Sequence, residues 1–298
     1  GDNIMNAALG TTCLAPRGHT NSIHRPWSGA TKRPASNLCH RRSGGAVRAS
    51  MDTGVQIFPE QREVEGALAN LTVQAAEQAI SERGSFTVAV AGGSLIKLLG
   101  SLKGKSEIDW NNWHVFWVDE RCVPHEDPES NFGGAMKALF GDVPIPPSQL
   151  YAIDESLCHS NLGAAQPCAE EYDARLKGLS NDILPVKDGL PVFDLLLLGF
   201  GPDGHMCSLF PEHPLLKVTE PWILPIMDSP KPPPERITFS LPVVNAAKMK
   251  CFTAIGEGKA EMAAKIIESA GDTFIPASLV KGDVVWLLDA AGASKLKI

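Results

Sequence analysis

No apolar run in this chain reaches the roughly 18–20 residues that a bilayer span needs. The longest candidates, Leu195–Leu198 and Val284–Leu288, are the size of strands. Positive charge is scarce: 27 Lys and Arg stand against 34 Asp and Glu, a net charge of −7. That balance argues against nucleic acid as the main partner, while a local basic pocket for an anionic small molecule stays open. The seven cysteines (Cys13, Cys39, Cys122, Cys158, Cys168, Cys207, Cys251) form no C-x-x-C pair and no Cys/His ligand spacing. A structural zinc site is not expected, and an odd count without a framework fits a reducing compartment. There is no Walker motif, no G-x-S-x-G elbow and no internal repeat. What remains is ordinary for a soluble globular protein: 44% hydrophobic and 20% charged residues.

The charge is unevenly placed. Residues 1–50 hold Arg17, Arg25, Lys32, Arg33, Arg41, Arg42 and Arg48 against the single acid Asp2, so +6, which leaves −13 for the rest of the −7 total. This segment is rich in Ser, Thr, Ala, Gly and Pro and has no apolar periodicity, the composition of an organelle transit peptide. A basic tail without an address is the plainer alternative. We expect residues 1–52 to be a disordered transit segment and residues 53–298 a single folded domain. Met5 and Met51 are both possible starts, and a start at Met51 would yield a cytosolic form. Ser294-Lys295-Leu296 spells a peroxisomal tripeptide, but Lys297 and Ile298 follow it, so no peroxisomal import is expected.

Beyond Pro59 the pattern changes. Val64, Leu68, Leu71, Ala75 and Ala79 recur at helical spacing up to Gly84. Strands are expected at Phe86–Ala91, His114–Val118, Asp194–Leu198, Trp222–Met227, Ile237–Leu241, Cys251–Ile255 and Val284–Leu288. Helices are expected at Leu95–Leu102, Asn131–Phe140, Pro167–Leu179 and Gly258–Ala270. The alternation predicts an α/β fold with a largely parallel sheet flanked by helices on both faces.

Three stretches carry candidate chemistry. Gly92-Gly93-Ser94 lies between a strand and a helix, where free amides and a hydroxyl suit a phosphate; a plain turn would read the same way. Gly199-Phe200-Gly201-Pro202-Asp203-Gly204 formally matches G-x-G-x-x-G. A dinucleotide turn must run straight into a helix, and Pro211 and Pro214 leave little room for one. In the same loop His205 supplies an imidazole that titrates near neutrality, as a general base must. Cys207 beside it reads as a small buried thiol. Asp119-Glu120-Arg121 reads either as a solvated loop with an ion pair or, with Arg236 and Lys259, as part of a pocket for a dianion.

Taken in order, V-A-V-A-G-G-S, W-V-D-E-R-C-V-P, S-N-F-G, L-L-L-L-G-F-G-P-D-G-H-M-C-S-L-F-P, P-E-R-I-T-F-S-L-P and I-G-E-G-K-A resemble the plant-type 6-phosphogluconolactonases over residues 57–290. That family resembles glucosamine-6-phosphate deaminases in fold. The deaminases continue the shared D-G-H with A-F-N-E-P, whereas here Ser208-Leu209-Phe210-Pro211-Glu212 follows, which favours the lactonase. The resemblance implies hydrolysis of 6-phospho-D-glucono-1,5-lactone to 6-phosphogluconate, the second step of the oxidative pentose phosphate pathway, next to glucose-6-phosphate dehydrogenase. It implies His205 as the base that activates water and Asp203 as a residue that orients the loop or the histidine. Gly92, Gly93, Ser94, Asp119, Arg121, Gly201, Arg236 and Lys259 are implied in substrate and phosphate binding. Neither metal nor organic cofactor is expected, the location is plastidic, and the state is monomer or dimer. A sugar-phosphate isomerase or deaminase, or a non-catalytic sugar-phosphate-binding protein, are the alternatives.

Overall fold

A computed structural model of the chain describes residues 54–158 and 163–297. The segment 1–52 and the transit role expected of it lie outside the described residues. The described chain opens with β1 (Gly54–Phe58) and α1 (Gln61–Arg83). The apolar stripe of α1, Val64, Leu68, Leu71, Ala75 and Ala79, is buried. The helix stops at Gly84, which adopts φ 80° and donates its N–H to Ile80 O at 2.8 Å. β2 (Phe86–Val90) is buried along its whole length, as a strand covered on both faces must be. The helix expected after the Gly-rich turn is α2 (Ser94–Leu99), finished by a 3₁₀ turn at Gly100–Leu102. β3 (Trp113–Trp117) runs through Val118 into β4 (Asp119–Arg121). α3 (Asn131–Ala138) follows, its start capped by the Ser130 hydroxyl, which accepts from Gly133 N at 3.0 Å. β5 (Leu150–Tyr151), α4 (Ala165–Lys177) and a hairpin of β6 (Val186–Lys187) and β7 (Leu190–Pro191) lead to β8 (Leu195–Leu198). The chain ends with β9 (Ile223–Ile226), β10 (Arg236–Phe239), α5 (Leu241–Ala246), β11 (Met249–Ala254), α6 (Glu257–Glu268) and β12 (Asp283–Asp289).

Seven strands form one sheet in the order β1-β12-β11-β8-β2-β3-β5, every pair parallel and flanked by helices. From β2 the chain moves outward through β3 and β5. From β8 it moves outward the other way through β11 and β12. The adjacent pair β2 and β8 is therefore the point where the winding reverses, and a crevice opens beyond the carboxyl ends of such a pair. A second, antiparallel sheet, β4-β10-β9, had no counterpart among the sequence expectations. In it Arg236 stands opposite Arg121, Ile237 opposite Glu120 and Thr238 opposite Asp119. This corrects the solvated-loop reading of Asp119–Arg121. The stretch is a strand, and Glu120 is 1% exposed.

At the amino ends of the same central strands lies a closed ionic cluster. Asp194 accepts from Arg83 Nη1 and Nη2 at 3.1 and 2.5 Å and from Thr87 N and Oγ1, both at 2.9 Å. Lys248 Nζ adds an ion pair at 3.0 Å. Among the described residues no helix is long and apolar enough to cross a membrane.

Candidate active site

The loops leaving β2, β3 and β8, together with β10 and the first turn of α6, wall a single cleft at the point of reversal. Gly92, Gly93, Ser94, Asp119, Arg121, His205, Arg236 and Lys259 all line it, from stretches far apart in the chain.

One side of the cleft is a cradle of donors. β2 ends in Ala91, and the chain turns through Gly92 and Gly93 into α2. Gly93 sits at φ 70°, which a side chain would resist. Gly92 is required for a different reason: a Cβ there would lie 1.9 Å from Asn131 Oδ1. Asn131 is held in turn by its Nδ2, which donates to Asp119 O at 3.0 Å. Arg121 Nη1 donates to Glu129 O at 2.6 Å and to Glu129 Oε2 at 3.1 Å, while its Nε is buried without a partner. Lys259, in the first turn of α6, donates to Phe200 O at 2.5 Å and lies 4.7 Å from the centre of the Phe200 ring. Burial, helped by nearby Lys231, holds the Lys259 ammonium below its ordinary pKa. An orphan guanidinium N–H, an ammonium and a Gly-rich turn at a helix start together suit an oxygen-rich dianion.

The other side carries the imidazole. His205 Nδ1 lies 2.5 Å from Asp203 Oδ1. A carboxylate only accepts, so Nδ1 carries the proton and Nε2 the lone pair. Nε2 has no hydrogen-bond partner among the described residues. The ring packs 4.7 Å from Phe210. Burial lowers the His205 pKa against the pull of Asp203, which favours the neutral ring. Asp203 is itself held below the usual carboxylate range: burial would raise it, but His205 and Lys231 outweigh that. A neutral imidazole with its Nε2 lone pair free is equipped to take a proton from water.

Not every expected residue meets the cleft in the same way. Asp203 and Gly201 do not line it. Gly201 lies against the imidazole, where a Cβ would come within 2.0 Å of His205 Cε1. Asp119 lines the cleft, but its Oδ2 already accepts from Ser208 Oγ at 2.8 Å. Arg236 is 3% exposed, and burial, with Arg121 nearby, lowers its pKa. Cys207 is a buried thiol pushed well above its ordinary pKa, chiefly by burial. It has φ 49°, a rare conformation for a residue with a side chain.

Three residues escaped the sequence reading. Asn131 stood in the S-N-F-G stretch without a role. Lys231 stands alone among prolines and drew no reading. Glu120 is the third. Its Oε1 accepts from Arg121 N and Asn131 N, both at 2.8 Å, and its Oε2 from Phe132 N at 2.7 Å, tying β4 to the start of α3. Burial raises its pKa to about 7 against those three N–H groups. Nothing in a D-E-R triplet distinguishes the buried carboxylate from the one in the cleft. Among the described residues no group of three or more His, Cys, Asp and Glu side chains is placed to hold a metal ion.

Known proteins resemble this chain over the same region. The model of the glucosamine-6-phosphate isomerases/6-phosphogluconolactonase family matches residues 59–286. The probable 6-phosphogluconolactonase 5 of Arabidopsis thaliana is 43% identical over 248 residues, covering 80% of this chain and 97% of that protein. The chloroplastic 6-phosphogluconolactonase 3 of the same plant is 43% identical over 250 residues, covering 81% of this chain and 75% of that protein. Among solved structures, the 6-phosphogluconolactonase of Trypanosoma brucei aligns with a TM-score of 0.72 at 26% identity, covering 83% of this chain and all of that one (100%).

Proposed function

The chain belongs to the glucosamine-6-phosphate isomerase/6-phosphogluconolactonase family, and from that membership we propose that it hydrolyses 6-phospho-D-glucono-1,5-lactone to 6-phosphogluconate. The observation that carries this reading is the pairing, across one cleft, of an imidazole backed by a carboxylate with a cradle for a dianion. In this reading the 6-phosphate sits against Gly92, Gly93 and Ser94, with Arg121 and Lys259 as its counter-charges. Arg236 and Asp119 complete the wall. The lactone carbonyl then faces His205. Nε2 takes a proton from a water molecule as its oxygen attacks C1, and the carbonyl electrons move onto oxygen. The tetrahedral intermediate collapses with cleavage of the C1–ring oxygen bond. The imidazolium returns its proton to that oxygen, so one water is consumed and the acid and the C5 hydroxyl are formed. Asp203 stabilises the transient imidazolium through Nδ1–H. A lactone is a reactive ester, so positioning and one base supply the needed acceleration. The lactone is the expected product of glucose-6-phosphate oxidation, which makes glucose-6-phosphate dehydrogenase the functional neighbour. Monomer or dimer is the expected assembly.

The test is a coupled assay on freshly generated lactone, read faster than the lactone opens by itself. Acceleration of 6-phosphogluconate formation, with weaker turnover of unphosphorylated gluconolactone, is expected. No acceleration, or release of ammonia from glucosamine 6-phosphate instead, overturns the reading.

For location we propose that residues 1–52 are a transit segment for the domain 53–298. The +6 charge of residues 1–50 and the chloroplastic relative support this. A reporter fused to residues 1–50 should enter plastids; retention in the cytosol refutes it.

A further inference from the structure

The Asp203–His205 pair has a third partner that the reaction as written does not use. Lys231 reaches it from the proline-rich connector between β9 and β10. Its Nζ lies 3.2 Å from Asp203 Oδ1 and 3.1 Å from His205 Nδ1. The connector is fastened from below. Lys231 O accepts from Arg236 Nη2 at 2.9 Å and from Ser229 Oγ at 2.9 Å. Arg236 also donates to Pro232 O and Pro233 O, both at 3.0 Å. The buried guanidinium thus directs three of its bonds to the carbonyls of this connector and only a long one, 3.5 Å, to Ser208 Oγ. Arg236 stands in the wall of the cleft chiefly as the anchor that fixes where Lys231 emerges.

We infer that Lys231 is a positioning residue for the Asp203–His205 pair: it shares Asp203 Oδ1 with the imidazole and keeps the ring from taking up a second proton near neutral pH. An ammonium has no lone pair, and neither does a protonated Nδ1. The two cannot bond to each other and can only converge on the same carboxylate oxygen. When Nε2 gains a proton, the ring becomes a cation about 3.1 Å from another cation. Lys231 therefore offsets part of the attraction that Asp203 exerts. Among the other groups around the ring, Asp119 attracts the charged form and Arg121, Arg236 and Lys259 share the cleft, while Lys231 also holds the Asp203 and Lys259 pKa values down. The direction of the His205 shift, in which burial and Lys231 act together against Asp203, agrees with this geometry. An active site that needs a neutral base thereby keeps the orienting carboxylate without making the base too basic.

This inference rests on His205 acting as the base, and the experiment separates the two claims. The full chain is prepared with Lys231→Met and with Lys231→Arg. His205 is titrated by NMR of its labelled imidazole, and kcat/KM is followed against pH. In Lys231→Met the His205 midpoint should rise by about one pH unit, the scale of losing a solvent-screened charge at contact distance. The acid limb of kcat/KM should move up by the same amount. Lys231→Arg should keep both midpoints within about a few tenths of a unit, because the charge persists. A role confined to holding the connector would lower activity at every pH and leave the midpoint still. An unchanged His205 midpoint in Lys231→Met overturns the inference. A midpoint that moves while the acid limb does not supports it and removes His205 as the base.

Discussion

Strand β8 has a buried or half-buried carboxylate beyond each end, and the two are treated in opposite ways. Asp194, at the amino end, has both oxygens filled by Arg83, Thr87 and Lys248 and a side chain only 3% exposed. Asp203, beyond the carboxyl end, meets only His205 and Lys231, and its side chain is 36% exposed. Both are held below the usual carboxylate pKa, so charge state does not separate them. Completeness does. Around Asp194 every strong donor has an acceptor inside the protein. Around Asp203 the chain of contacts runs on to an imidazole nitrogen with nothing bonded to it, and across the cleft to an arginine Nε without a partner. A saturated cluster can only stabilise; an unfinished one can bind and react.

That contrast can be broken at either end. At the open end, His205→Asn should lower kcat by about 10²–10⁴, the usual contribution of a positioned general base, with little change in KM or melting temperature. Steady-state kinetics checks this, and an unaltered kcat would remove the imidazole from the reaction. At the closed end, Asp194→Ala should cost about 3–5 kcal/mol of folding stability, because it strands Arg83 and Lys248 beside a partly buried site. Denaturant unfolding measures the loss, and KM should hold. Asp194→Asn sharpens the comparison through pH. A carboxyl whose folded pKa is depressed contributes stability that is present above its ordinary value of 3.8 and is lost as pH falls through the folded value. The Asn variant should show less of that acid-side loss. A fall in kcat/KM as large as that of His205→Asn would show that the two ends are not separable.

Much of the frame was legible before the structure. The buried strands β2, β8, β11 and β12, and the helices α1 and α6, announce themselves through local composition and period, and their bounds shift by only a residue or two. The Gly-rich turns after β2 and β8 were visible because glycine is a local signal. Strand order was not, since nothing in residues 86–90 states that they pair with 195–198. The antiparallel sheet was missed for the same reason: Asp119–Arg121 has three residues and no pattern, and it becomes a strand only because Arg236–Thr238 lies against it. Lys231 was hidden deeper, because its place beside Asp203 and His205 depends on a connector that Arg236 fastens through three carbonyls. Composition marks a cation; only packing tells which cation is free.

The outermost strand of the sheet has a consequence for how the protein is made. β1 is the first described element, and among the described strands it pairs with β12, the last. A chain leaving the ribosome carries residues 54–58 for more than two hundred further residues before their neighbour exists. The middle of the sheet has a similar wait, since β2 must hold its open edge until β8 arrives. Synthesis order and assembly order therefore run against each other, and non-local pairing of this kind is slow and leaves strand edges uncovered meanwhile. The sheet is complete only when β12, the last strand to be made, pairs with both β11 and β1. Until then the edges of the early strands stay open to solvent and to other chains.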